Sequence, residues 1–230
     1  MILVVASRVD PVAHRLIREL PKGSTVLLTC LDLSSSGWRV SSTAADSSVC
    51  VADGLLLEER EIDGVLTLLP CVFEQELVHI RPPERRYVAA EMTAFLTFWL
   101  SRLRCPKLNA PSAGCLSGPG WRPERWVATA AEVGLPVKPV RRGTRSSVPP
   151  GGAQRKLVVT VVGEHFLGDE HPELRRRART LASAVGLGLL RVEFEEGDDY
   201  LFSAASTFPD LAEAGAAHAI WAYLTAEGSS

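Results

Sequence analysis

A chain of 230 residues, 46% apolar and 23% charged, is long enough to bury one large core or two small ones, and its mix is that of a globular protein rather than a disordered or fibrous one. A formal charge of -2 supplies no global field that would draw it to nucleic acid or to a membrane surface. No apolar run approaches the roughly 20 residues of a membrane helix, and Met1–Ala6 is stopped by Ser7-Arg8 and Asp10-Pro11 too early for a signal-peptide core, so the expected location is the cytoplasm.

Ile2–Ala6 reads as a short apolar strand. Asp10 can cap a helix whose first turn takes Pro11, and Val12, Leu16, Ile17 and Leu20 then share a face. Thr25–Leu28 reads as a second buried strand, which makes a βαβ unit in an open parallel sheet the simplest architecture. A Ser-rich connection, Ser34–Ser48, carries the single aromatic Trp38. Val49–Ala52 and Leu55–Leu57 flank Asp53-Gly54, a pair suited to a two-residue hairpin turn. Ile62 to Leu69 supplies another strand, closed by Pro70.

The strongest helix opens at Pro82-Pro83, places Val88, Met92, Phe95, Leu96, Trp99 and Leu103 on one face, and ends at Cys105-Pro106. Another is expected over Pro123–Val133, stopped by Gly134. Val140–Gln154 is basic, rich in Pro, Gly and Ser, and without periodicity, so it reads as a linker or exposed loop. The expected division is a first α/β domain over 1–139, a linker over 140–155 and a smaller α+β part over 156–230. In that last part Lys156–Val162 and His165–Leu167 form a hairpin, and a helix opens at Pro172. Leu189–Phe194 and Tyr200–Ala204 are strands, and a final helix over about Asp210–Leu224 turns Leu211, His218, Trp221 and Leu224 to one side.

Most familiar chemistry is missing from the pattern. Neither G-x-x-x-x-G-K-[ST] nor G-x-G-x-x-G occurs, because Arg191 stands where the third glycine after Gly186 and Gly188 would be. Gly114-Cys115-Leu116-Ser117-Gly118 has its serine one place too late for a nucleophile elbow. The five cysteines are scattered and form no C-x-x-C, and the five histidines are equally dispersed, so no disulfide framework or metal site is expected. The Arg175–Arg177 run and Glu58–Glu61 read as solvated faces.

Two segments carry a resemblance. The first runs E-R-R-Y-V-A-A-E from Glu84, then F-W-L, C-P-K-L-N-A-P and W-R-P-E-R-W-V-A-T-A-A-E-V-G-L-P-V. The second runs V-T-V-V-G-E-H-F-L, L-L-R-V-E-F and Y-L-F-S-A-A-S-T-F-P-D-L. Together they resemble the ATP-grasp carboxylate–amine ligases, in the branch that attaches amino acids to protein or peptide tails. In that family a helix with Tyr and Glu precedes a "vNxP" strand end, and "GLPVP" leads into the nucleotide domain. Tyr87, Glu91, Trp99, Asn109, Pro111, Gly134, Leu135 and Pro136 stand in matching order.

The departures bear on activity. Fewer than twenty residues separate Val137 from Lys156, where the family places the subdomain holding its phosphate lysine and glycine-rich flap. Aligned on Phe208-Pro209, the metal-binding Glu and Asn of "EvNpfP" fall at Ala204 and Ser206, leaving Glu193 as the one acidic position. One carboxylate does not hold Mg²⁺ against phosphates. The resemblance therefore implies a truncated ATP-grasp-like protein that uses no cofactor and acts as a peptide-binding or scaffold subunit, alone as a homodimer or beside a complete ligase. The candidate contact residues are Arg81, Arg85, Arg86, Tyr87, Glu91 and Asn109, with Trp121 and Arg122, because arginines beside aromatics suit carboxylates or an acidic peptide. Two alternatives stand beside it. One is a component of an ATP- and Mg²⁺-dependent ligase completed by a partner chain. The other is an unrelated enzyme using Cys115 or Ser117 on a similar scaffold.

Overall fold

Short apolar runs between turn residues become buried strands in the computed structural model of the chain, which describes residues 1–41, 48–137, 155–197 and 199–226. In chain order the first unit holds β1 (Ile2–Val5), α1 (Pro11–Glu19), β2 (Thr25–Leu28), β3 (Val49–Ala52), β4 (Leu55–Glu58), β5 (Gly64–Thr67), α2 (Arg85–Arg102) and β6 (Lys107–Leu108). The Asp10 carboxylate accepts from the Val12 and Ala13 amides at 2.8 and 3.2 Å, so α1 starts where its cap and Pro11 dictate. β1 lies between β2 and β5 in a parallel sheet ordered β2-β1-β5-β6, and β3 and β4 form a separate antiparallel hairpin. All four residues of β1 are buried, as a strand covered on both faces requires.

α2 covers this sheet through Leu96, Trp99 and Leu100, with Val88 and Met92 at the margin, as its spacing predicts. Trp38, the aromatic of the Ser-rich connection, meets Trp99 and Phe95 edge-on with centroids 5.2 Å away in both cases. Residues 42–47 of that connection lie outside the described residues.

The second unit contains α3 (Pro123–Glu132), β7 (Lys156–Val162), β8 (His165–Gly168), α4 (Pro172–Val185), β9 (Leu189–Glu195) and β10 (Leu201–Ser206). Its four strands are antiparallel throughout, in the order β10-β9-β7-β8. Trp126 and Ala130 of α3, with Leu174, Ala178 and Leu181 of α4, cover the face made by Val159, Val161, Leu190, Val192, Phe194 and Phe202.

The chain divides into compact units at 1–120 with 214–230, and at 121–213, which differs from the 1–139 and 156–230 division expected from the sequence. Two packings account for the difference. α3 lies on β10, and Leu135 joins the same core, so residues 121–137 belong to the second unit. The last helix, α5 (Ala216–Thr225), returns to pack on β5 and β6 of the first unit. The expected linker lies outside the described residues except for Arg155.

α5 is also shorter than its expected span. Gly215 adopts a left-handed φ of 88° ahead of it, and the buried side is Ala216, Ala217, Ala219, Ile220 and Leu224, with His218 exposed. Among the described residues no helix is long and apolar enough to cross a membrane.

Candidate functional site

The start of α2 gathers five of the residues selected from the sequence, and the structure gives them unequal freedom. Arg81 is ion-paired with Glu84 within the same turn. Arg85 donates to the carbonyls of Ile80 at 2.9 Å and Val78 at 3.2 Å, which ties the preceding loop to the helix. Arg86, Tyr87 and Glu91 remain on the exposed side, and Tyr87 is 69% exposed.

Arg86 stands at one end of an open, mainly apolar groove of about 790 Å³ between α2 and the segment around Cys71–Glu74. Ala90, Ala94, Thr97 and Ser101 form its helical wall, and Arg102 marks the other end. The Thr93 hydroxyl accepts from the Val72 amide at 3.0 Å and donates to the Ala89 carbonyl at 2.8 Å, which fixes the groove's base. Among the described residues neither Arg86 nor Glu74 has an ion pair, so the rim presents one free charge of each sign beside an apolar slot. Such an arrangement suits an extended or helical peptide carrying small or apolar anchors.

Asn109 lies elsewhere. It ends β6 and is 2% exposed, so it supports the loop rather than facing solvent. That loop closes on itself: the Ser112 amide donates to the Cys115 carbonyl at 2.8 Å, and the Leu116 amide to the Pro70 carbonyl at 2.8 Å. Cys115 and Ser117 are buried within it. Burial pushes the Cys115 thiol above its ordinary range, and the Ser117 hydroxyl has no hydrogen-bond partner among the described residues. A nucleophile needs a lowered pKa or an adjacent base, and among the described residues neither is in place for Cys115 or Ser117.

Trp121 and Arg122 belong to the second unit. Trp121 packs on Trp126 with ring centroids 4.8 Å away, and the Arg125 guanidinium lies 5.2 Å from the Trp121 centroid. Arg122 is exposed just before α3, and its carbonyl accepts from the Arg125 and Trp126 amides.

The other face of the second unit's sheet carries the acidic position that the resemblance retains, beside the buried Thr160, Val162 and Leu189. Glu193 of β9 is buried and lies opposite Ala204 of β10, with Arg191 opposite Ser206. Lys156 bonds one Glu193 oxygen at 3.0 Å and Arg191 pairs with the other. Burial works to raise the Glu193 carboxyl, but the Lys156 bond and the Arg191 charge outweigh it, so the group sits below the usual carboxylate range. Magnesium seeks anionic oxygens with free lone pairs. Here both oxygens are engaged by cations and the neighbours are Ala204 and Ser206, so these residues do not fit the metal that ATP chemistry uses. Among the described residues no three His, Cys, Asp or Glu side chains are grouped to hold one.

A polar cleft of about 410 Å³ went unmarked in the sequence. It lies just past the carboxyl ends of β1 and β2, with Arg8, His14, Thr29, Asp32, Ser35 and Asp53 around it. The Asp32 carboxylate accepts from the Thr29 amide at 2.8 Å and hydroxyl at 2.7 Å, and His14 Nε2 lies 2.7 Å from the Arg8 carbonyl. Position was the available signal, since open parallel sheets place ligands beyond the carboxyl ends of their strands.

An α/β protein with a parallel sheet in one unit and an antiparallel sheet in the other defines a recognisable class. The macrocyclase MdnB from Microcystis aeruginosa MRC is similar to it with a TM-score of 0.66 at 16% identity, over 97% of this chain and 98% of that one. A RiPP-associated ATP-grasp ligase from Chryseobacterium gregarium, solved with ADP and a leader and core peptide, gives a TM-score of 0.67 at 11% identity, over 99% and 97%. The Microcystis macrocyclase MdnC, bound with its precursor peptide MdnA, gives 0.64 at 12%, over 91% and 92%. The chain thus has the ATP-grasp ligase fold, as the two sequence segments implied. No family model and no curated protein matches the sequence.

Proposed function

We propose that the chain is a non-catalytic ATP-grasp-like protein that binds a peptide or protein segment during peptide modification in the cytoplasm. The observation that carries this reading is Glu193, held by Lys156 and Arg191 opposite Ala204 and Ser206. Phosphoryl activation needs metal and cationic clamps on phosphate oxygens, and this cluster spends its cations on its own carboxylate. The short connection between Val137 and Lys156 supports a second unit reduced by its nucleotide-binding part. The near-complete match to the ligases' chains does not itself reveal such a loss, so the reduction is read from the sequence.

Peptide binding draws support from the α2 groove, with Arg86 free at its rim, and from neighbours that were solved with precursor peptides. A homodimer or a complete ligase completes the assembly in this reading, and an active ligase finished by a partner chain is its rival. The buried, unactivated Cys115 and Ser117 weigh against a covalent enzyme.

The test is fluorescence anisotropy with labelled peptides from the short reading frames encoded beside the chain. Binding should be unchanged by ATP–Mg²⁺, and Arg86→Glu should weaken it about tenfold, as loss of a charge-assisted contact does. A peptide bound only with ATP, or turned over with release of ADP, would contradict the proposal.

A further inference from the structure

The polar cleft beyond β1 and β2 holds a buried carboxylate without a cation. Asp32 is 8% exposed, and one of its oxygens accepts from both the amide and the hydroxyl of Thr29. The other oxygen has no hydrogen-bond or ion partner among the described residues, and Asp32 lines the cleft. A carboxylate taken out of water is costly unless opposite charge or further donors meet it.

Arg8 supplies a charge of the other sign. Its side chain is exposed at the same cleft and has no ion pair among the described residues. The backbone beneath it is fixed, because His14 Nε2–H donates to the Arg8 carbonyl at 2.7 Å and the Asp10 amide donates to the Ser7 carbonyl at 3.1 Å. Asp53, at φ 49° in the β3–β4 turn, brings a second carboxylate, and Leu27 and Leu31 make part of the wall apolar.

These groups select a ligand by charge. A phosphate or nucleotide would set several negative charges against two carboxylates and a single guanidinium. A simple cation would meet Arg8. Among the described residues Asp32 and Asp53 are not grouped with a third ligand that would hold a metal ion. A zwitterion answers both signs at once. An ammonium has three donors for the free Asp32 oxygen and for Asp53, and a guanidinium takes a carboxylate through two parallel hydrogen bonds. An aliphatic side chain suits Leu27 and Leu31, and about 410 Å³ falls within the range of small-molecule sites.

We propose that this cleft binds a free aliphatic amino acid as its zwitterion, with the ammonium on Asp32 and the carboxylate on Arg8. Both ends of the ligand are anchored, so neither is presented for activation or attack, and the amino acid is an effector rather than a substrate. The cleft shares no lining residue with the α2 groove, so the site stands independently of the peptide reading.

Isothermal titration and thermal unfolding of the full chain with L-leucine, from about 10 µM to about 10 mM at neutral pH, test it. L-leucine should bind saturably and raise the unfolding temperature. L-leucinamide lacks the carboxylate and N-acetyl-L-leucine lacks the ammonium, so each should bind about tenfold more weakly or worse. Arg8→Gln and Asp32→Asn should each raise the L-leucine Kd by about the same factor. Asp32 also holds Thr29, so Asp32→Asn is read only with unchanged far-ultraviolet dichroism. The Arg8 side chain makes no bond within the described residues, and Arg8→Gln decides the matter if Asp32→Asn misfolds. Absence of saturation with L-leucine, equal binding of either capped form, or wild-type affinity in Arg8→Gln would overturn the site.

Discussion

Gly64→Ala probes a packing that sequence patterning gave no hint of, the return of α5 onto the parallel sheet. A Cβ added to Gly64 would stand 2.7 Å from Leu224 Cβ, 2.9 Å from the Leu224 carbonyl oxygen and 3.2 Å from its Cδ2. Relaxed carbon contacts are about 3.5–4.0 Å, so α5 would have to retreat by about 1 Å. Two of the three atoms belong to the backbone or its first side-chain atom, and no rotamer change removes them. Overpacking of this kind costs about 1–3 kcal/mol. Alanine's lower unfolded-chain entropy returns about 0.4–1 kcal/mol, which at the middle of the overpacking range leaves a net loss of about 1–2 kcal/mol. At roughly 2–4 °C per kcal/mol for a chain of this size, thermal unfolding should fall by roughly 2–8 °C. Gly114→Ala is the control: nothing lies within 4 Å of its added Cβ and its φ is not positive, so it should be neutral or slightly stabilising. If Gly64→Ala unfolds no lower than Gly114→Ala, α5 does not press on β5 as described.

Trp99→Ala should cost about 3–5 kcal/mol in denaturant unfolding, because Trp99 is fully buried against Trp38 and the sheet. Trp99→Phe should cost distinctly less, since the buried indole N–H has no partner among the described residues and its loss removes an unmet donor. Glu193 sits below the usual carboxylate range, so its pairing stabilises the fold fully above about pH 4.3, its unfolded value, and fades as pH falls through the lower folded value. Glu193→Gln should therefore flatten the acid limb of a plot of unfolding midpoint against pH; an unaltered limb would mean that the Lys156 and Arg191 pairs carry no such stability. Burial pushes the Cys30 and Cys50 thiols up to about 12 and raises that of Cys115, so iodoacetamide at neutral pH should leave these three unlabelled in the native chain. Selective alkylation of Cys115 would revive the covalent-enzyme alternative.

The strands and helices most legible in the sequence are those whose boundary chemistry is local. Asp10-Pro11 and Asp53-Gly54 each set an element edge through nearby hydrogen bonds or fixed φ, and the structure keeps both, whereas Pro82-Pro83 opens a 3-10 turn, Pro82–Glu84, and α2 itself starts at Arg85. Trp99 was readable as core because its helix repeats apolar residues on one side. The other side of α2 was not readable as a groove wall, because Ala, Thr and Ser are weak markers until their exposure is known. The bounds of the two compact units were not legible for a related reason: the sheet that buries Trp126 and the sheet that buries Leu224 are chosen by long-range packing, to which composition is blind. At the candidate site, Ala204 and Ser206 could be read directly as the residues at which the resemblance places a metal-binding Glu and Asn. That Lys156 would turn toward Glu193 could not, because it depends on the β7–β9 register. Arg81 and Arg85 looked like ligand-facing cations, yet Glu84 and two backbone carbonyls hold them.

Isothermal titration of the full chain with ATP–Mg²⁺ asks whether Glu193 and its two cations leave room for a magnesium-bound nucleotide. A site binding at a hundredth of the added ligand concentration would stabilise the chain by about 2.7 kcal/mol, which the titration and a parallel thermal scan would both register. With Glu193 held by Lys156 and Arg191 and opposed by Ala204, the titration should show no saturable heat, and unfolding should not shift at millimolar nucleotide. A saturable, magnesium-dependent isotherm with a matching rise in unfolding temperature would contradict it.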